Sequence, residues 1–316
     1  MTPLKQLITL IRQQNAIPVP PGINRLTENL LARHGDAVQA VLFYGSCFRK
    51  GDDTEGIVDL YLLVDQYQNA YRRRAQAFLN KLLPPNVFYL ELPYEEHVIR
   101  AKYAVFSLKD FRLGSSGWFH SYLWGRLAQP MGLVYAKDDQ VAAQVYTAMA
   151  RAVVVFVSRV LPMLPSRFTA EEFWNTGFSL TYTAELRAER QDALVGLFET
   201  APAYYEVLTR TAIRLVPSSV SFREDGGQIR YHAKIHPLKR LSARTGWTVR
   251  RFQGKLLSLL RLLKGALTFE NGLDYILWKI ERHSGIQVEL NPQQKRIPLV
   301  GVMVLFWRLY RRGAFR

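Results

Sequence analysis

Apolar residues recur every three or four positions through Leu4–Gln14 and again through Ile23–Arg33, predicting two short amphipathic helices on either side of the breaker Pro18–Gly22. The period then changes. An apolar run, Val41–Tyr44, ends at Gly45-Ser46, and a charged turn leads into a second apolar run with one embedded acid, Asp59. These read as two strands. Asn69–Leu83 returns to helical spacing and is stopped by Pro84-Pro85, after which Val87–Leu92 and Val98–Phe106 are β-rich. Trp118–Leu127, Val141–Leu161, Phe168–Arg190 and Ala203–Leu215 are helical in pattern, and Pro217–Gly227 has loop composition and marks a boundary. Strand, strand, helix, strand, strand predicts an α+β fold with a mixed sheet, followed by a mostly helical region.

The turn between the first two strands suggests chemistry. Gly45 lets the backbone approach a triphosphate, and Ser46 adds N–H and hydroxyl donors for phosphate oxygens. Asp59, fixed on the next strand between Val58 and Leu60, is costly to bury alone and is placed to hold Mg²⁺ against the same phosphates. This is how the nucleotidyltransferase fold arranges its site. Many such enzymes carry a second Asp two positions on, where this chain has Tyr61. Glu91, which also interrupts an apolar strand, is the candidate for a second metal ligand; a solvent-facing Glu91 fits the pattern equally well. Lys102 and Arg126 are candidate catalytic cations that would neutralise phosphate charge, or else plain surface charges. His232 and His236 have the i, i+4 spacing of a helical metal pair, but without a nearby cysteine or acid their basic surroundings suit phosphate contact better.

Composition adds a compartment and a partner class. The single cysteine, Cys47, excludes an internal disulfide framework and reads as a small buried side chain. Net charge is +16, and from Glu206 onward 21 Lys and Arg face 7 Asp and Glu, so nearly all of the excess lies in the C-terminal third. Such asymmetry implies a polyanionic surface, either nucleic acid or an anionic membrane. The N-terminus lacks the continuous apolar core of a secretory signal and the Arg- and Ser-rich character of a mitochondrial presequence. The longest apolar run, Ile297–Trp307, contains Pro298 and Gly301 and is shorter than the roughly 20 residues that span a bilayer.

The basic third separates the two partner classes. Val249, Phe252, Leu256, Leu259, Leu260, Leu263 and Leu267 form a helical apolar stripe, and Arg250, Arg251, Lys255, Arg261 and Lys264 occupy the remainder behind Trp247. A broad apolar face with a cationic remainder suits a helix lying in a bilayer interface. The terminal segment repeats that composition with Trp307, Arg311 and Arg312. Trp247, Arg250, Arg251, Lys255, Trp307, Arg311 and Arg312 are therefore the expected membrane contacts. A nucleic-acid reader would interleave its cations with polar and aromatic residues rather than a Leu-rich face.

Five separated segments keep one order: FYGSCF with VDLYLLVD, then AKYAVFS, WFHSYLWGRLAQP and FSLTYTAELR. In this the chain resembles the mitochondrial-type phosphatidate cytidylyltransferases, peripheral CDP-diacylglycerol synthases of the translocator-assembly-and-maintenance type. The similarity covers about residues 40–210. It implies that Gly45 and Ser46 cradle CTP phosphates, that Asp59 binds Mg²⁺, and that Lys102, Arg126, Tyr182, Glu185 and Arg187 are functional, the last three with the nucleotide. It also implies a nucleotidyltransferase domain over 1–138, a winged-helix-like domain over 139–225 and a basic membrane-associating region over 226–316. There are departures. Ala104 stands for the family's glycine, Gln129 for a lysine, and Ala184-Glu185 for Gly-Asp, so the acceptor need not be ordinary phosphatidate.

The expected activity is transfer of CMP from CTP to a lipid phosphate such as phosphatidate, giving CDP-diacylglycerol and pyrophosphate. The expected location is the cytoplasmic face of a bacterial inner membrane or an equivalent matrix-facing surface. Two alternatives are a nucleotidyltransferase with a soluble acceptor and a non-catalytic nucleic-acid-binding protein with a degenerate nucleotidyltransferase domain.

Overall fold

The computed structural model describes residues 2–15, 18–52, 56–185, 192–217, 219–225 and 228–268. Two N-terminal helices, α1 (Pro3–Asn15) and α2 (Pro21–His34), lead into a five-stranded mixed sheet. Its strands are β1 (Val38–Tyr44), β2 (Val58–Val64), β3 (Asn86–Tyr94), β4 (His97–Ser107) and β5 (Gly132–Ala136), in the spatial order β3-β4-β2-β1-β5. Of these pairings β2 with β4 is parallel and the others are antiparallel. Helix α3 (Gly45–Lys50) follows β1, and α4 (Tyr67–Ala70) and α5 (Arg74–Leu82) link β2 to β3.

Burial on both faces explains why β1 and β2 read as continuous apolar runs rather than alternating ones. Leu42, Tyr61, Leu63, Ala104 and Phe106 pack into one core with the helical half of the molecule. Val41, Phe43, Leu60, Leu62 and Val105 join a second core with Ile23, Leu26 and Leu30 of α2. Helix α6 (Leu108–Ser116), capped by the Ser107 hydroxyl, and the short α7 (Trp124–Leu127) cover the first face. The expected helix over Trp118–Leu127 is confined to its last four residues, the helical stretch here being α6 instead. Likewise the expected helix over Asn69–Leu83 breaks at Tyr71–Arg73 into α4 and α5.

Helix α8 (Asp139–Val160), β6 (Arg167–Phe168), α9 (Ala170–Thr183), α10 (Asp192–Glu199), α11 (Pro202–Ile213), β7 (Ser219–Asp225) and β8 (Gln228–Lys234) form the second half. The order is helix, short strand, three helices and a hairpin, with the strands arranged as β6-β8-β7. Length and apolarity alone would let Asp139–Met163 cross a membrane, but α8 is the central core helix and packs on α1, α6, α7, α9 and α11. Pro217–Gly227 is not the loop its composition suggests, because most of it is β7, paired in register with β8. The expected boundary at 225/226 therefore falls inside one hairpin. His232 lies on β8, while His236 accepts a hydrogen bond from the Leu238 N–H at the start of the last helix, so the two do not share a helical face.

That helix, α12 (Pro237–Thr268), is about 48 Å long at 1.5 Å per residue and packs with its polarity reversed. Leu238, Leu241, Val249, Phe252, Leu256, Leu259, Leu260 and Leu263 are exposed. Trp247, Arg250, Gly254, Arg261 and Lys264 face inward. Trp247 is 1% exposed, lies edge-on to Trp124 at 5.9 Å and donates to the Arg159 carbonyl. Arg250 is 3% exposed and donates from Nε to the Phe119 carbonyl at 2.8 Å. These two expected membrane contacts are packing residues instead, whereas Arg251 and Lys255 are exposed as anticipated. Trp307, Arg311 and Arg312 lie outside the described residues.

Candidate active site

Strand register assembles one end of the sheet. The parallel pairing of β2 and β4 sets Asp59 beside Lys102, and the antiparallel pairing of β1 and β2 sets Tyr44 on the other side of Asp59. Lys102 Nζ lies 3.2 Å from Asp59 Oδ1, with the two side chains 30% and 25% exposed. A carboxylate and an ammonium thus meet at a partly open edge of an otherwise buried sheet.

The chain leaves β1 through Gly45, whose φ of +88° is a conformation that side chains disfavour. A Cβ there would stand 2.5 Å from Asp59 Oδ2, so only glycine lets the turn pass this close to the carboxylate. Helix α3 starts at that glycine, and its first-turn N–H groups have no intrahelical acceptors. Ser46 sits exposed on this turn, within reach of solvent or ligand. Cys47 behind it is buried and donates to the Ile57 carbonyl, with burial raising its thiol pKa, in keeping with a packing role.

A second layer backs this edge. Tyr61 occupies the position where a second Asp would sit; it is buried and stacks on Tyr44 at 4.3 Å. Burial, followed by the neighbouring Tyr61 and Asp59, raises the Tyr44 hydroxyl pKa, which keeps it protonated beside the carboxylate. Beyond this pair lies Arg126. Gly125 brings α7 so close to α9 that a Cβ would touch Thr181 at 3.0 Å. That approach delivers Arg126 to Glu185 just past the end of α9. Two hydrogen bonds of 2.9 and 2.6 Å join them, and a third runs from Arg126 Nη1 to the Tyr122 carbonyl. Burial opposes the guanidinium charge, but Glu185 and the surrounding tyrosines outweigh it, so the Arg126 pKa is raised and the group stays charged.

Arg126 and Glu185, drawn from two separate motifs, are therefore partners. Tyr182 lies on α9, one turn before Glu185. Arg187 lies outside the described residues. Glu91 is not beside Asp59. It stands on β3, two strands away, and accepts from Arg100 Nε at 3.2 Å and from the Tyr89 hydroxyl at 2.7 Å.

Three groups of this region have no signal in the sequence. The guanidinium of Arg261, on α12, lies 4.1 Å from the Tyr122 ring centre, and that of Arg126 lies 4.0 Å from the same ring. His120 is held down to about pKa 4 by burial and then by Arg261. Lys264 donates to the Leu83 and Pro85 carbonyls, and burial followed by Arg261 lowers its pKa to about 7. Surface-type residues on a basic helix give no indication that they will turn inward.

Residues 58–192 match the family described as mitochondrial phosphatidate cytidylyltransferase. Over that span, which is less than half of the chain, the sequence is similar to this family. The match begins at the first residue of β2, so it takes in Asp59, Lys102, Arg126, Tyr182, Glu185 and Arg187 and starts after Gly45 and Ser46. No curated protein matches the chain. The mixed α+β sheet agrees with the nucleotidyltransferase-like fold expected of a phosphatidate cytidylyltransferase. Among the described residues no three His, Cys, Asp or Glu side chains cluster as a metal cage. The donor set at Asp59, one partly exposed carboxylate beside the first-turn N–H groups of α3, fits Mg²⁺, which takes one or two carboxylates and completes its shell with other oxygens and water.

Proposed function

We propose that this protein transfers CMP from CTP to the phosphate of phosphatidate or a closely related lipid phosphate, at the surface of an anionic membrane. The observation that carries the reading is the juxtaposition of Asp59, Lys102 and the Gly45 turn, two of whose three members lie in the span matched to the family. In the reaction an acceptor phosphate oxygen attacks the α-phosphorus of CTP, a new P–O–P bond forms, and the bond to the β-phosphate breaks to release pyrophosphate. A phosphate monoester has a second pKa near about 6, so the attacking oxygen is largely ionised at neutral pH and requires no strong base.

The protein's part is then positioning and charge stabilisation. The Gly45-Ser46 turn offers N–H and hydroxyl donors to triphosphate oxygens. Lys102 offsets negative charge on the leaving pyrophosphate. Asp59 would hold Mg²⁺, which supplies further neutralisation of the triphosphate when bound. Arg126 serves through its position, since three of its N–H donors are engaged by Glu185 and the Tyr122 carbonyl. Tyr182, and Arg187 by family resemblance, are assigned to the nucleotide.

The exposed leucine-rich face of α12, flanked by Arg251 and Lys255, supports peripheral attachment to an anionic leaflet. The test is to incubate full-length protein with labelled CTP, Mg²⁺ and vesicles containing a panel of lipid phosphates. Label should enter phosphatidate as CDP-diacylglycerol with release of pyrophosphate. Transfer to a soluble acceptor without lipid, or no CTP turnover at all, would overturn the reading.

A further inference from the structure

Helix α5 packs with the same reversed polarity as α12, and the residues just after it meet α12. Its inward side carries Gln76 and Asn80, where Asn80 is fully buried and donates to the Val105 carbonyl and the Tyr71 hydroxyl. Its outward side carries Arg74, Phe78, Lys81 and Leu82, with Phe78 64% and Leu82 70% exposed. At 100° per residue these four span a single continuous arc. The next residues, Leu83 to Pro85, accept hydrogen bonds from Arg261 and Lys264, so the end of α5 is tied directly to the last turns of α12. The exposed Leu82 and Leu263 therefore flank one junction.

We propose that α5 is a second membrane contact, forming with α12 one docking face for an anionic lipid bilayer. This rests on the peripheral-membrane reading above. Phe78 and Leu82 would enter the acyl boundary, while Arg72, Arg73, Arg74 and Lys81, all exposed, would meet headgroup phosphates. Charge complementarity selects the occupant. Between Gln66 and Leu90 the chain has no acidic residue, and neither has Gly226 to Phe269. Two copies docked through this same face would bring their arginine clusters together, which disfavours a second copy of the chain.

The experiment places an environment-sensitive fluorophore on the full chain at Phe78→Cys, at Phe252→Cys and, outside both helices, at Phe222→Cys. The native Cys47 is buried and should not compete for label. With phosphatidylcholine vesicles containing phosphatidylglycerol, probes at 78 and 252 should shift to the blue and lose the shift in high salt, while the probe at 222 should not move. A shift at 252 alone would overturn the α5 contact and leave the membrane reading standing. No shift at either site would overturn both. A shift at 78 that grows with protein concentration in the absence of vesicles would assign the face to a second copy and overturn the proposal. As an independent check, Arg73→Gln with Arg74→Gln should weaken vesicle binding by at least about tenfold at unchanged melting temperature, and unchanged affinity would count against it.

Discussion

At Gly45 a positive φ and a 2.5 Å approach to Asp59 coincide, so Gly45→Ala faces both backbone strain and a clash with the carboxylate. It should lose about 1–3 kcal/mol of stability and most CTP turnover, measurable by thermal melting and pyrophosphate release. Asp59→Asn separates the two effects. The side chain is partly exposed and its ion pair with Lys102 is screened, so stability should move by less than about 1 kcal/mol while turnover is abolished. Retained turnover in a folded Asp59→Asn protein would remove the carboxylate from the chemistry. Arg126→Ala is the opposite case, because it leaves Glu185 buried without its partner and should cost about 3–5 kcal/mol. The juxtaposition of Gly45 and Asp59 was legible in the sequence because an acid inside an apolar strand violates local preference and the glycine ends the strand just before it. The Arg126–Glu185 pair was not legible, since only the packing of Gly125 against Thr181 joins two motifs about sixty residues apart.

At the scale of elements, α12 shows what periodicity can and cannot convey. The spacing of its apolar residues predicted a helical leucine stripe from Val249 to Leu267, and the helix observed begins twelve residues earlier, at Pro237. It carried no information about which side would turn inward, because aromatic stacking and carbonyl acceptors, rather than apolar area, hold the inner face. The α5 break at Tyr71–Arg73 was hidden for a related reason, as no glycine or proline marks it. The inward placement of Lys264 has a pH signature. Burial lowers its pKa from 10.5 to about 7, so between those values the unfolded chain holds a proton that the folded chain has released. Its contribution therefore makes stability rise with pH across that interval. Lys264→Met should flatten that slope, which denaturant titrations at neutral and alkaline pH would measure; an unaltered slope would mean that the amine is not buried in solution.

At the scale of the whole molecule, one core runs from Leu7 of α1 through the sheet and α8 to Tyr231 of β8 and Trp247 of α12. The order of elements, and hence the α+β character, could be read from the sequence, but this continuity could not, because it depends on contacts between distant segments. Truncation after Gly226, which by charge alone should leave a soluble nucleotide-binding body, instead removes β8 and the Trp247 contact. The shortened chain should unfold or melt well below the full protein, and calorimetry of both forms would show it.

The shared ring of Tyr122 carries this further. One guanidinium over it belongs to the interior of the protein and the other to the helix with the exposed leucine face. Mutational losses at the two arginines should then be non-additive, with a double-mutant cycle returning an interaction energy of about 0.5 kcal/mol or more. Anchoring and catalysis would be separate functions yet not separable parts: a soluble form of this protein must come from repainting the outer leucines with polar residues, because the helix itself cannot be cut away.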